Sequence, residues 1–125
     1  SGSMVFDEEQ LLARLDGDRE MAVEVVKIFA DDFPRQLVEM RNGAEREDTE
    51  LVRQVIHKLK GSCGNIGAVE MHESTIAVLR DESLGVSELT GRIDQIESLF
   101  KHFVSVAYEK GFITESVSDS GTDTD

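Results

Sequence analysis

Between Val86 and Ala107 the apolar residues Val86, Leu89, Ile93, Ile96, Phe100, Phe103 and Ala107 follow one another in alternating steps of three and four. An α-helix turns once every 3.6 residues, so this spacing draws one continuous stripe down a helix of about six turns. Such a stripe is the seam of a helical bundle, and other helices must cover it. No segment alternates with the period of two that a half-buried strand requires, and no unit repeats along the chain. The chain therefore reads as all-α.

The remaining helices are punctuated by caps and glycines. Asp7 is placed to cap a short first helix that runs to Leu15, with Gln10 at its third position, Phe6 stapled onto Leu11, and Leu11, Leu12 and Leu15 inward. Gly17 ends it, and Asp18 caps a long second helix whose stripe is Met21, Val25, Ile28, Phe29, Phe33, Leu37 and Met40. Pro34 lies inside that stripe without shifting its phase, which predicts a kinked but continuous helix closed at Gly43. A third helix starts at Asp48 or Thr49, buries Leu51, Val52, Val55, Ile56 and Leu59, and runs to about Asn65. A fourth spans about Ala68 to Ser83 with Met71, Thr75, Val78 and Leu79 inward, and Gly85 stops it. Gly111 ends the fifth, and Phe112 folds back onto it. Short connections make consecutive helices antiparallel. The expected architecture is an antiparallel up-down four-helix bundle with a short N-terminal lid helix.

With 125 residues, one domain is expected, long enough for a single core. Residues 1–4, Ser-Gly-Ser-Met, read as an expression scar, 5–113 as the bundle, and 114–125, rich in Ser, Thr and Asp, as a disordered acidic tail. Thirteen basic against 26 acidic side chains give a net charge of −13, which argues against nucleic acid and anionic membrane as partners. One cysteine leaves no internal disulfide, and no apolar run reaches the length of a membrane span, so a reducing, cytoplasmic setting is expected. Five helices with covered faces favour a monomer.

The third helix carries the candidate chemistry. His57, Lys60 and Gly61 stand at i, i+3 and i+4 and share one face, with Gly64 a turn further on. His57 lies about 100° around the axis from Ile56, at the edge of the buried stripe. A neutral imidazole nitrogen is a nucleophile, and a phosphoryl group placed on it brings about two negative charges. Lys60 is positioned to offset them, and Gly61 removes the side chain that would cover the ring, at about 1 kcal/mol of helix propensity relative to Ala. The plain alternatives are a surface histidine, a solvated lysine and a glycine kept for close helix packing. Gly64 and Gly67 suit the turn and close helix approach, and Ser62, pointing away from His57, suits a local backbone bond.

Competing chemistries fall on spacing. Gly61-x-x-Gly64-x-x-Gly67 lacks both the Lys-Ser pair and the preceding strand of a nucleotide loop. His57, Cys63, His72 and His102 include no pair at i, i+3 or i+4, so they do not read as a zinc site. Cys63, six residues from His57, faces another direction and reads as a small core residue. His72 and His102 read as edge or surface residues. Asp31-Asp32 and Glu45 to Asp48 read as solvated charge, and Phe29 and Phe33 as core with an edge available for docking.

His57-Lys58-Leu59-Lys60-Gly61-Ser62, followed by Gly67-Ala68, resembles the histidine phosphotransfer (HPt) domains of two-component phosphorelays. The helical layout from about Val5 to Gly111 agrees with that resemblance. It implies that His57 carries a phosphoryl group on Nε2 and exchanges it with a receiver-domain aspartate, that Lys60 sits beside the phosphate, and that Gly61 admits the receiver. The partner implied is a response-regulator receiver domain, a hybrid histidine kinase, or both. Such a carrier has no ATP site, cofactor or metal of its own, and Mg²⁺ belongs to the receiver. The resemblance suits a free-standing protein and a domain of a hybrid sensor kinase equally. Leu79 departs from the pattern, because HPt domains often place Gln or Glu there to bond the histidine Nδ1. That departure motivates an alternative, an HPt-like module that docks a receiver without carrying phosphate. A purely structural bundle is a third reading, weakened by the intact His-Lys-Gly set.

Overall fold

A computed structural model of the chain describes residues 4–114. Apart from Met4 and Thr114, the expected scar and acidic tail lie outside the described residues. Five α-helices follow in order: α1 (Glu8–Arg14), α2 (Arg19–Glu45), α3 (Thr49–Ile66), α4 (Val69–Arg80) and α5 (Val86–Glu109). Among the described residues there is no strand, only an isolated antiparallel bridge between Phe6 and Ala68.

Three aspartates start helices in the expected way. The carboxylates of Asp7, Asp18 and Asp48 accept the N–H groups of Gln10, Met21 and Leu51, each satisfying a donor that the first turn leaves without an intrahelical partner. Gly85 precedes α5, and its N–H donates to the Glu88 carboxylate at 3.0 Å. α2 packs on α3, α3 on α4, α4 on α5 and α5 back on α2, which closes the four-helix ring; α1 rests on α2 and α3. The helices run antiparallel across the closing pair: Phe29 meets Phe103 at one level, and Arg41 bonds Asp94 and Glu97 at another.

The α5 stripe is buried as read, from Leu89 through Ile93, Ile96, Phe100 and Phe103 to Ala107, with Val86 half-buried. It carries the centre of an aromatic run in which Phe33 stacks on Phe100 (4.1 Å) and Phe103 meets Phe29 (5.5 Å) and Phe6 (5.2 Å) edge-on. Phe112 folds back as expected: it is fully buried, its N–H reaches the Ala107 carbonyl at 2.8 Å, and the Arg19 guanidinium lies over its ring. Phe6 meets Phe112 as well, at 5.1 Å. Leu11, the expected staple partner, is buried in the same core cluster as Phe6.

Three expectations need correction. The α2 stripe is rotated: Ala22, Val26, Ala30 and Gln36 join Phe29, Phe33 and Met40 inside, whereas Met21 is 48% and Ile28 59% exposed. Apolar residues crowd every side of α2, and the seam takes the small alanines where helices approach most closely. Gly43 does not close α2, which continues to Glu45; it is buried because a β-carbon there would lie 2.9 Å from Val52 Cγ2 on α3. α4 also ends earlier than expected, at Arg80. Asp81 turns the chain there, its carboxylate accepting both the N–H (3.0 Å) and the hydroxyl (2.6 Å) of Ser83.

Candidate functional site

The buried side of α3 is Val52, Val55, Ile56, Leu59, Cys63 and Ile66. These residues anchor the helix in the core and fix what its other side presents to solvent. His57 is exposed, one step around the axis from the fully buried Ile56, as its spacing predicts. Neither of its ring nitrogens has a hydrogen-bond partner among the described residues. A shallow depression around it is lined by Glu50, Arg53, Gln54 and Lys58.

Lys60 and Gly61 follow on the next turn. Lys60 is half-buried, and its ammonium has neither a salt bridge nor a hydrogen bond among the described residues. Gly61 is exposed, and a β-carbon added there would meet nothing within 4 Å. Close helix packing therefore does not explain this glycine. Ser62 turns away and donates to the Lys58 carbonyl at 3.4 Å.

Both ends of this face are clamped. At the upper end α3 stops at Gly67, whose φ of +80° lies in the left-handed region that side chains disfavour. A β-carbon there would also lie 2.7 Å from the Asp7 carbonyl oxygen. The N-terminal segment crosses at this point, with Asp7 N–H donating to Gly67 O (2.8 Å) and Val69 N–H to Val5 O (3.0 Å). At the lower end Arg53 reaches α4 and donates to the carbonyls of Asp81 and of Val78 (3.2 Å), the latter shared with the Asp81 N–H that caps the helix. Spacing alone could have flagged Arg53, which stands four residues before His57; its attachment to α4 is a tertiary contact that no local signal carries.

Arg53 opposite Asp81, and Gly64 opposite the His72 ring (3.2 Å from an added β-carbon), set the register of the α3–α4 hairpin. His57 falls between those levels, opposite the turn that contains Leu79. Leu79 is half-buried against the core and has no polar atom on its side chain to offer the ring.

The other candidates separate. Cys63 is fully buried, and burial pushes its thiol up to about 12, so it stays protonated and unreactive near neutral pH. His72 sits half-buried over Gly64, and His102 is exposed with Nδ1 3.2 Å from Glu70. Among the described residues no group of three or more His, Cys, Asp or Glu side chains is placed to hold a metal ion. Phe29 and Phe33 are buried at 6% and 1% exposure, which removes them as a docking edge. No helix of the described residues is long and apolar enough to cross a membrane.

A family model described as "Hpt domain" matches residues 24–102, a span that holds most of α2, all of α3 and α4, and α5 through His102. No match was found among curated proteins or among solved structures. The match covers more than half of the chain, and the all-helical, five-helix fold is consistent with it. The chain therefore belongs to the Hpt-domain family, the phosphotransfer modules of phosphorelays that interact with response-regulator receivers.

Proposed function

We propose that His57 is the phosphoryl carrier of this domain and exchanges its phosphoryl group with the aspartate of a receiver. The observation that carries this reading is the state of the ring. His57 stands exposed on a helix whose opposite side is locked in the core, with both nitrogens unbonded and open space over the next turn at Gly61. An imidazole held that way can meet a phosphorus atom buried in another protein's pocket.

In the transfer, the lone pair of neutral His57 Nε2 attacks the phosphorus of a receiver acyl phosphate. The P–N bond forms as the P–O bond to the aspartate breaks, and the carboxylate leaves with the bonding pair. The Nδ1 proton stays on the ring, so the product is a phosphoimidazolium and no base is required. In the reverse direction the aspartate oxygen attacks and the imidazole leaves. Lys60, about 4.5 Å along the helix axis, supplies a mobile positive charge for the equatorial oxygens. The receiver brings Mg²⁺ and its acid pocket, which this chain does not need to duplicate. With Leu79 opposite, no side chain among the described residues bonds Nδ1, and the docked receiver orients the ring.

Incubation with a phosphorylated receiver tests this. Intact mass should show one added phosphoryl group, labile in acid and absent from His57→Gln. Label that survives in His57→Gln would move the site elsewhere. Tight receiver binding in both proteins with label in neither would favour the docking module that Leu79 suggests.

A further inference from the structure

A second depression, larger than the one around His57, starts at Lys60 and Gly61 and climbs along α3 to the lid helix. Gly61 and Gly64 lie on its floor, Arg14 and Gln10 of α1 form one wall, and His72 of α4 forms the other. Two features of this groove call for a partner.

The first is charge. The chain has 26 acidic and 13 basic side chains, so carboxylates are abundant. Arg35 and Arg41 each take two of them, and Lys27, Lys101 and Lys110 one each. Arg14 and Lys60 take none, as is true of Lys58, Arg80 and Arg92 elsewhere on the surface, and neither has a hydrogen-bond acceptor among the described residues; these two share one groove. The acid in the groove, Asp7, is engaged with the Gln10 N–H at the start of α1. Among the described residues the groove thus keeps two cations without a carboxylate partner beside the His72 ring.

The second is origin. The family match begins at residue 24, so α1 lies outside it, whereas His57, Lys60 and Gly61 lie inside. The matched span thus carries the transferring groups and the His72 wall, and the Arg14 wall stands outside it.

We infer that this groove seats an acidic segment of the receiver beside its phosphoacceptor aspartate, and that Arg14 on the lid helix determines which receivers are served. The inference rests on receiver docking at His57 as proposed above. The groove is continuous with that docking site, since Lys60 and Gly61 belong to both. Charge complementarity of this kind sets encounter rate and discrimination between partners more than the chemical step. Arg14 does not reach the phosphorus; it is a specificity residue.

The test measures binding of the full chain to a panel of purified, unphosphorylated receiver domains that differ in acidic residues around the phosphoacceptor site. Binding is read for the wild type, Arg14→Glu and Arg14→Gln at about 50 mM and about 500 mM salt. Labelling of His57 by phosphoramidate, a small donor that needs no docking, runs in parallel. Arg14→Glu should weaken binding to the receivers with the most acidic faces about tenfold at low salt and much less at high salt. Arg14→Gln should fall between, with phosphoramidate labelling and circular dichroism unchanged in both. Equal affinities for all three proteins across the panel would overturn the inference and leave the carrier function standing. Labelling by phosphoramidate with no receiver bound by the wild type would overturn it too. Receiver binding that depends on Arg14 without any label at His57 would uphold the groove and instead overturn the carrier reading.

Discussion

Gly61 on α3 and Gly91 on α5 occupy the same kind of place. Both are exposed, both lie mid-helix without a positive φ, and a β-carbon at either would meet nothing within 4 Å. The helices around them differ. α5 is built to be covered: bulky residues fill its seam, and the acids near Gly91 on its outer side, Asp94 and Glu97, are tied to Arg41 of α2. α3 is covered on one side only. Its outer side holds His57, Lys58, Lys60 and Gly61, none with a salt bridge or hydrogen bond from its side chain among the described residues. Packing dictates the residues of α5, whereas it leaves the outer face of α3 free. Residue choices on that outer face therefore report on something beyond this fold.

The largest test of the contrast lies in the core. Phe103 is fully buried between Phe6 and Phe29, and its replacement by Ala removes both edge-on ring contacts. Phe103→Ala should cost about 3–5 kcal/mol in urea unfolding while the protein that remains folded still takes label on His57. A loss below about 1 kcal/mol would mean that the aromatic run is not the support of the bundle.

Lys60→Ala probes the other side. Its ammonium holds no partner among the described residues, so the thermal midpoint should move by no more than about 2 °C. Phosphotransfer with a receiver should slow about tenfold, the loss of about 1.4 kcal/mol of transition-state stabilisation from one mobile charge. An unchanged rate would reduce Lys60 to a solvated lysine.

What could be read from the sequence follows the same division. His57, Lys60 and Gly61 share one helix, so their i, i+3, i+4 spacing was enough to gather them, and the α5 seam was legible because polar residues separate its apolar ones. On α2 the apolar residues run around the helix, and choosing the larger ones placed Met21 and Ile28 inside where Ala22 and Ala30 belong. Side-chain size was the wrong guide there, since the closest helix contacts select the smallest residues. The early end of α4 depends on the Asp81 turn, and its last carbonyls on Arg53, which arrives from 25 residues earlier in the chain. Arg14 and His72 reach the groove from separate helices. No local pattern encodes contacts of that kind, because they exist only once the helices are packed.

The smallest expected effect separates the two helices most cleanly. Replacing a mid-helix glycine with Ala lowers the conformational entropy of the unfolded chain and adds helix propensity, so Gly61→Ala and Gly91→Ala should each stabilise the fold by about 0.5–1 kcal/mol. Neither new methyl meets a neighbour, so nothing offsets the gain. Gly91→Ala should leave phosphotransfer untouched. Gly61→Ala should slow labelling by a phosphorylated receiver but not by phosphoramidate, and Gly61→Leu should deepen that difference, because a longer side chain stands where the receiver must approach. A stabilised Gly61→Leu protein that accepts phosphoryl groups from receivers at the wild-type rate would show that the open turn beside His57 is not an entrance. Gly61 would then be no more than a weak helix position, equivalent to Gly91.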